Sequence, residues 1–272
     1  IKKQQFGNSN YRRPIRNTSF TSINLKTTIM TTLARITIGL VLALLAASCG
    51  FDVNFGDFGS GVKGNGDVVT DTREITDEFT IVSASEGIDV YVTQASKFKI
   101  EVEADENVID LIGTDIKNGK LRIHAEKNIG RATKKVYVSL PDVTSLKSSS
   151  GAHLTAEETI KTDKLEIDAS SGSILEVEVV ASDVEIDASS GANINVSGKA
   201  HTVYVDGSSG ANIRAKDLEA KIGNADASSG SNVSVNVSQD LTADANSGGN
   251  ISYSGDPNVK KNKSVSGSVR KN

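Results

Sequence analysis

The sequence predicts an all-β protein, a parallel β-helix wound in coils of about 19 to 20 residues, and three observations carry that reading. The first is a recurring corner: SSSGAHL, ASSGSIL, ASSGANI, GSSGANI, ASSGSNV and ANSGGNI place anchoring glycines at Gly151, Gly172, Gly191, Gly210, Gly230 and Gly248, at intervals of 21, 19, 19, 20 and 18 residues. The second is the pattern around each corner. Counting from the glycine, position −7 is usually Leu or Val (Leu165, Val184, Val203, Leu241), −5 is apolar (Ile167, Ile186, Val205, Ala225, Ala243) and −3 is small (Ala169, Ala188, Gly207, Ala227, Ala245). Beyond it, +3 is always a large aliphatic (Leu154, Leu175, Ile194, Ile213, Val233, Ile251), so both flanks alternate with the period of two that marks a strand. The third is length: two short strands and a corner leave no room for a helix, and the spaced Leu and Asn of leucine-rich repeats are absent. With aromatic residues at 4%, the core must be built from thin layers of Val, Ile, Leu and Ala.

The chain opens on Ile1 and its single methionine is Met30, which we read as the start, with residues 1–29 an upstream extension. From Met30 a weakly basic stretch through Arg35 leads into a twelve-residue apolar segment, Ile36 to Ala47, then Ser48 and Cys49, so 30–48 reads as a signal peptide. Twelve residues fall short of the roughly 20 that a spanning helix needs. The lone cysteine follows Leu44-Leu45-Ala46-Ala47-Ser48, which resembles the lipobox of bacterial lipoproteins, although Ala46 stands where Leu is usual. That likeness implies lipidation of Cys49 and an outer-membrane anchor. The competing reading is simple secretion after Ser48, since Ala46-x-Ser48 also fits a small-x-small cleavage site. Residues 49–66 carry Gly50, Gly56, Gly59, Gly61, Gly64 and Gly66 and read as a flexible tether.

Residues 67–146 read as less regular sheet that caps the first coil, with strands at Val68-Val69, Phe79–Val82, Ile88–Val92, Phe98–Val102, Leu121–Ile123 and Val136–Val138 and a short helical turn between Asn107 and Gly119. Residues 147–256 hold the regular repeats. Length changes between repeats fall after +5, on the third side of each coil. Residues 257–272 begin with Pro257 and carry Lys260, Lys261, Lys263, Arg270 and Lys271, a basic cap or tail suited to blunting the last strand edge.

With these residues in view, a family resemblance emerges. SEGIDVYVTQ (85–94), VEADENVID (102–110), NGKLRI (118–123), the repeated corners and SGDPNVKKNKSVSG (254–267) together resemble the putative auto-transporter adhesin "head GIN" domain of Bacteroidetes-type lipoproteins, over about residues 67–268. The resemblance implies a right-handed, single-stranded β-helix on a cell-envelope, outer-membrane lipoprotein, with no catalytic residues carried over.

Charge and residue chemistry narrow the function. Residues 1–48 hold seven of the 30 basic residues and none of the 34 acids, so the processed chain would keep 23 basic against 34 acidic residues, a net of −11. That balance excludes the basic stripe nucleic acid requires. One cysteine forbids an internal disulfide, and His124, His153 and His201 lack the spacings of Cys/His zinc sites. Asp168, Asp187, Asp206, Asp226 and Asp244 all stand at −4 and should stack as an outward ladder. Two chemistries suit such a ladder: Ca2+ or a cationic partner bridging neighbouring carboxylates, or a solvated edge in which each Asp caps its corner. We favour the second, because the Asp is as periodic as the corner. Asn193, Asn212, Asn232 and Asn250, at +2, should form an amide ladder. Six equivalent serine corners and no G-x-S-x-G elbow argue against a nucleophile. A carbohydrate-active enzyme would need basic partners on the acidic ladder, which offers only Arg214 and the third-side Lys199 and Lys216 nearby. The reading is therefore a non-catalytic envelope module with a glycan or protein ligand on one solenoid face. A periplasm-facing structural or envelope-stress scaffold is the alternative.

Overall fold

The computed structural model describes residues 61–262 and 266–272. The expected signal peptide, Cys49 and the first part of the tether lie outside them. The described residues form a parallel β-solenoid of about seven turns, and no helix among them is long and apolar enough to cross a membrane. Its organising feature is the Ser-Ser-Gly corner. At each one the second serine and the glycine both have positive φ, for example Ser190 at 51° and Gly191 at 73°. Two consecutive positive-φ residues are the signature of a type I′ turn. The turn closes on itself through Ala192 N–H to Ser189 O, 3.0 Å. It also bonds to the coil beyond, Gly191 N–H donating to Ser209 O at 3.1 Å, and this step repeats from corner to corner. The amides of the first corner residue, the glycine and the residue after it are thus satisfied by neighbouring backbone, not by the aspartates at −4.

The N-terminal part contains strands β1 (Val68–Thr72), β2 (Ile81–Ala84), β3 (Asp89–Gln94), β4 (Lys99–Asp105), β5 (Ile112–Lys117), β6 (Lys120–Ala125), β7 (Lys134–Leu140), β8 (Ser145–Ser148) and β9 (His153–Ala156). Strands β2 and β3 flank a seventh corner, where Glu86 and Gly87 have φ of 62° and 68°. They lie parallel to β8 and β9, pairing Val82 with Leu146 and Val90 with Leu154. Residues 79–94 are therefore a full coil in register with the repeats. The chain then leaves the stack and returns beneath it. Strands β6 and β7 pair in parallel with β2 and β3, whereas β5 runs antiparallel to β6, and β4 antiparallel to β7 and β1. The change to antiparallel pairing ends the winding and covers the open end of the core. Phe79 packs on Phe98 with ring centroids 5.1 Å apart, over buried Ile100, Val102, Leu121 and Ile123. The helical turn expected between Asn107 and Gly119 is a single 3-10 turn, Ile109–Leu111, and the remainder is strand β5.

Residues 61–66 belong to this body and not to a free tether. Val62 N–H donates to Asn128 O at 2.9 Å and Gly64 N–H to Arg131 O at 3.1 Å. The buried Asp105 accepts Gly66 N–H at 2.9 Å and Thr133 N–H at 2.7 Å. A buried carboxylate is tolerated here because backbone amides satisfy both of its oxygens.

The first regular coil is completed by β10 (Ile160–Ala169), and each of the next is one long strand between corners: β11 (Ile174–Ala188), β12 (Asn193–Gly207), β13 (Asn212–Ala227) and β14 (Asn232–Ala245). The stack continues through β15 (Asn250–Ser254), β16 (Asn258–Asn262) and β17 (Ser268–Lys271). The basic segment after Pro257 is thus a further coil, with β16 on β14 and β17 on β15. Positions −7, −5, −3, +1, +3 and +5 point inward, and the −5 column tapers from Ile167 and Ile186 through Val205 to Ala225 and Ala243. Leu218 and Val237 add buried aliphatic side chains on the third side. Register shifts between Asn195 and Ser197, Ala215 and Glu219, and Ala220 and Ile222 place the length changes on that same side.

Candidate functional site

A solenoid turns sequence positions into columns, so the outer surface is read one column at a time. On the strands before the corners, the −4 column runs Lys147, Asp168, Asp187, Asp206, Asp226, Asp244, Asn262, each paired with the next across the sheet. Successive rungs are about 4.8 Å apart. One end is paired with a cation and the other with an amide: Lys147 Nζ lies 3.5 Å from Asp168 Oδ2, and Asn262 Nδ2 donates to Asp244 Oδ2 at 3.4 Å. The Asp187 carboxyl is held above the ordinary carboxylate range by partial burial, then by Asp206, Glu185 and Asp168. Asp226 is raised likewise, by burial and then by Asp206 and Asp244. Among the described residues no corner amide donates to any of the five, so the expected capping is not seen, while all five stay exposed or half-buried as a solvated edge. Nor does the column gather three ligand oxygens. Among the described residues, ligand atoms of three His, Cys, Asp or Glu side chains converge within 4.8 Å only at Asp115, His124 and Glu126.

The strands after the corners carry different chemistry. At +2 the amide ladder is present: Asn212 Nδ2 donates to Asn193 Oδ1 at 3.4 Å, Asn232 to Asn212 at 3.2 Å and Asn250 to Asn232 at 3.3 Å. Beside it the +4 column runs Tyr137, Tyr91, Thr155, Glu176, Asn195, Arg214, Ser234, Ser252, Arg270. Tyr91 and Tyr137 stack with centroids 5.1 Å apart and planes 18° from parallel. Glu176 is absorbed by Asn195, whose Nδ2 donates to Glu176 Oε1 at 2.8 Å. Arg214 and Arg270 face solvent and, among the described residues, neither forms an ion pair. The Arg214 guanidinium has one neutral partner, Asn195 Oδ1 at 3.3 Å. Between the two arginines, Ser234 and Ser252 have short side chains and leave a trough of about 150 Å³, lined also by Asn212, Asn232 and Asn250. The arginines stand three rungs apart, about 14 Å.

Two uncommitted guanidiniums flanking hydroxyls and amides make a donor-rich surface on a chain that is otherwise acidic. Such a surface suits carboxylate, sulfate or phosphate oxygens, which guanidinium binds with paired N–H donors. The repeat pattern identified Arg214 at +4. It did not reach Arg270, because the sequence after Pro257 loses the corner signature, nor the Tyr91–Tyr137 stack, because those residues are 46 apart in sequence.

Parallel coils with repeated polar columns define a surface-presenting β-solenoid. The chain belongs to the family described as "putative auto-transporter adhesin, head GIN domain", whose model matches residues 78–257. Solved structures share the fold. An adhesin-named protein of Bacteroides fragilis aligns with a TM-score of 0.70 at 18% identity, covering 77% of this chain and 99% of that one. One of Parabacteroides merdae gives 0.64 at 21%, covering 77% and 98%. A third, from Parabacteroides distasonis and titled a lipid binding protein, gives 0.63 at 19%, again covering 77% and 98%. No curated protein matches. The family suggests a protein of the cell envelope or surface.

Proposed function

We propose that this chain is a non-catalytic, lipid-anchored module of the bacterial outer membrane that binds an acidic glycan along the Asn ladder and the adjoining +4 column between Arg214 and Arg270. The observation that carries the reading is the trough between Arg214 and Arg270, where two cations without an ion pair among the described residues flank serine and asparagine donors. An acidic polysaccharide presents carboxylates at regular intervals along an extended chain, and a solenoid face presents donors at a regular rise, so the two match in form as well as charge. Lipidation at Cys49, after the apolar segment 36–47, would hold this face at the membrane surface. The adhesin names of the family and of two structural neighbours agree with such a role.

Protease shaving of intact cells tests the placement. The domain is expected to be cut while a periplasmic control survives, and Cys49→Ser is expected to release it from the membrane fraction. Protection until the outer membrane is opened would overturn surface presentation and favour the inward-facing scaffold.

A further inference from the structure

At the other end of the molecule, the β5–β6 hairpin gathers three metal-ligating side chains that the trough does not use. His124 Nε2 lies 3.1 Å from Glu126 Oε1 and 3.5 Å from Asp115 Oδ2, on a side chain that is only 7% exposed. We propose that Asp115, His124 and Glu126 form a binding site for a divalent cation of the zinc class, pinning the hairpin that closes the solenoid.

Three observations support it. The first is geometric. With metal–nitrogen and metal–oxygen bonds of about 2.0 to 2.2 Å and tetrahedral angles, ligand atoms sit roughly 3.3 Å apart. The two measured separations bracket that value. The second is the state of the imidazole. One Nε2–H cannot point at two carboxylates on the two sides of the hairpin, whereas a cation accepts all three ligands at once. The other ring nitrogen, Nδ1, is buried with no partner, so every polar contact of the ring is directed into the cluster. The third is the floor beneath it. Gly113 faces His124 across the hairpin, and a Cβ there would collide with imidazole Cε1. The ring therefore lies flat on the glycine, with Nε2 fixed toward the carboxylates. The backbone of Glu126 is anchored too, its N–H donating to Leu111 O at 2.8 Å. Asp115 and Glu126 keep their outer sides in solvent, at 65% and 58% exposure, which gives a cation an entry path and leaves water the remaining coordination position. Mixed imidazole and carboxylate ligands favour Zn2+ over Ca2+ or Mg2+, which prefer all-oxygen shells.

Calorimetric titration of the full chain with Zn2+, and with Co2+ as an absorbing substitute, tests the site. The expected result is one equivalent bound, visible Co2+ bands of a low-coordinate N/O site, and a raised Tm with Zn2+ that Ca2+ does not reproduce. Asp115→Asn and Glu126→Gln alter exposed groups and leave the fold intact, and each is expected to lower Zn2+ affinity at least tenfold, while His124→Gln abolishes binding. No binding at 100 μM Zn2+, or unchanged affinity in the Asp115→Asn/Glu126→Gln double variant, would overturn the proposal.

Discussion

The regular coils and the N-terminal part obey the same inward alternation but end their strands differently. In residues 147–256 every coil re-enters the sheet in parallel through the same corner, so one unit of sequence specifies one unit of structure. In residues 67–146 the chain departs after one coil and closes the stack with antiparallel pairs. A solenoid can repeat cheaply, but it cannot stop without a region that breaks its own pattern. The coils offer long uniform columns, and the irregular end offers side chains brought together from different strands. Ligands that are themselves repetitive suit the first, and a single ion suits the second.

Four substitutions probe that contrast. The largest effect is expected in the coils, at the third-side bend. Gly198 has φ of 111° and a Cβ there would meet the Val179 carbonyl of the adjoining coil, so Gly198→Ala should cost at least about 3 kcal/mol in a urea titration. Next comes the cap. Asp105→Ala strands the N–H groups of Gly66 and Thr133 and should cost about 2 kcal/mol. Its mark in hydrogen exchange should be confined to residues near 61–66 and 128–133; protection lost equally in the coils would erase the distinction between the regions. A corner is cheaper. Gly191 has φ of 73° with open space around the missing Cβ, so Gly191→Ala should cost only about 1 kcal/mol, from backbone strain alone.

The smallest effect has the opposite sign. Because Asp187 titrates above its ordinary value when folded, the folded chain binds its proton more tightly than the unfolded chain does. Stability from this group is therefore complete below the unfolded pKa near 3.8 and is lost as pH rises through the raised folded value. Asp187→Asn should raise stability at pH 7 by no more than about 0.5 kcal/mol, since the carboxylate faces solvent and is screened. The gain should shrink in high salt and vanish in acid, as thermal melts across pH would record.

Much of this architecture is written in the sequence, because a repeat states its register many times over. The inward columns at −5 and +3 and the Asn ladder follow directly from the spacing of the corner glycines. The first coil was hidden by interruption. Its corner at Gly87 has Val82, Ala84 and Val90 at the right offsets, yet it is displaced from the next by an insertion, and Thr80 meets Thr144 across 64 residues. Strand β5 was hidden by composition, since Gly113, Thr114 and Asp115 give little apolar alternation. The Asp column was legible as a column but not in its role, because the corner amides other than the second serine's already have backbone partners. The His124 cluster was not legible at all. Its ligands meet through hairpin register, not through any spacing used to find zinc sites.

Binding of the full chain to an array of neutral, carboxylated and sulfated glycans tests the trough between Arg214 and Arg270 most directly. The prediction is retention of acidic glycans, weakening with salt and reduced at least tenfold by Arg214→Ala/Arg270→Ala, with thermal stability unchanged. Equal binding by the double variant, or a preference for neutral glycans, would contradict it.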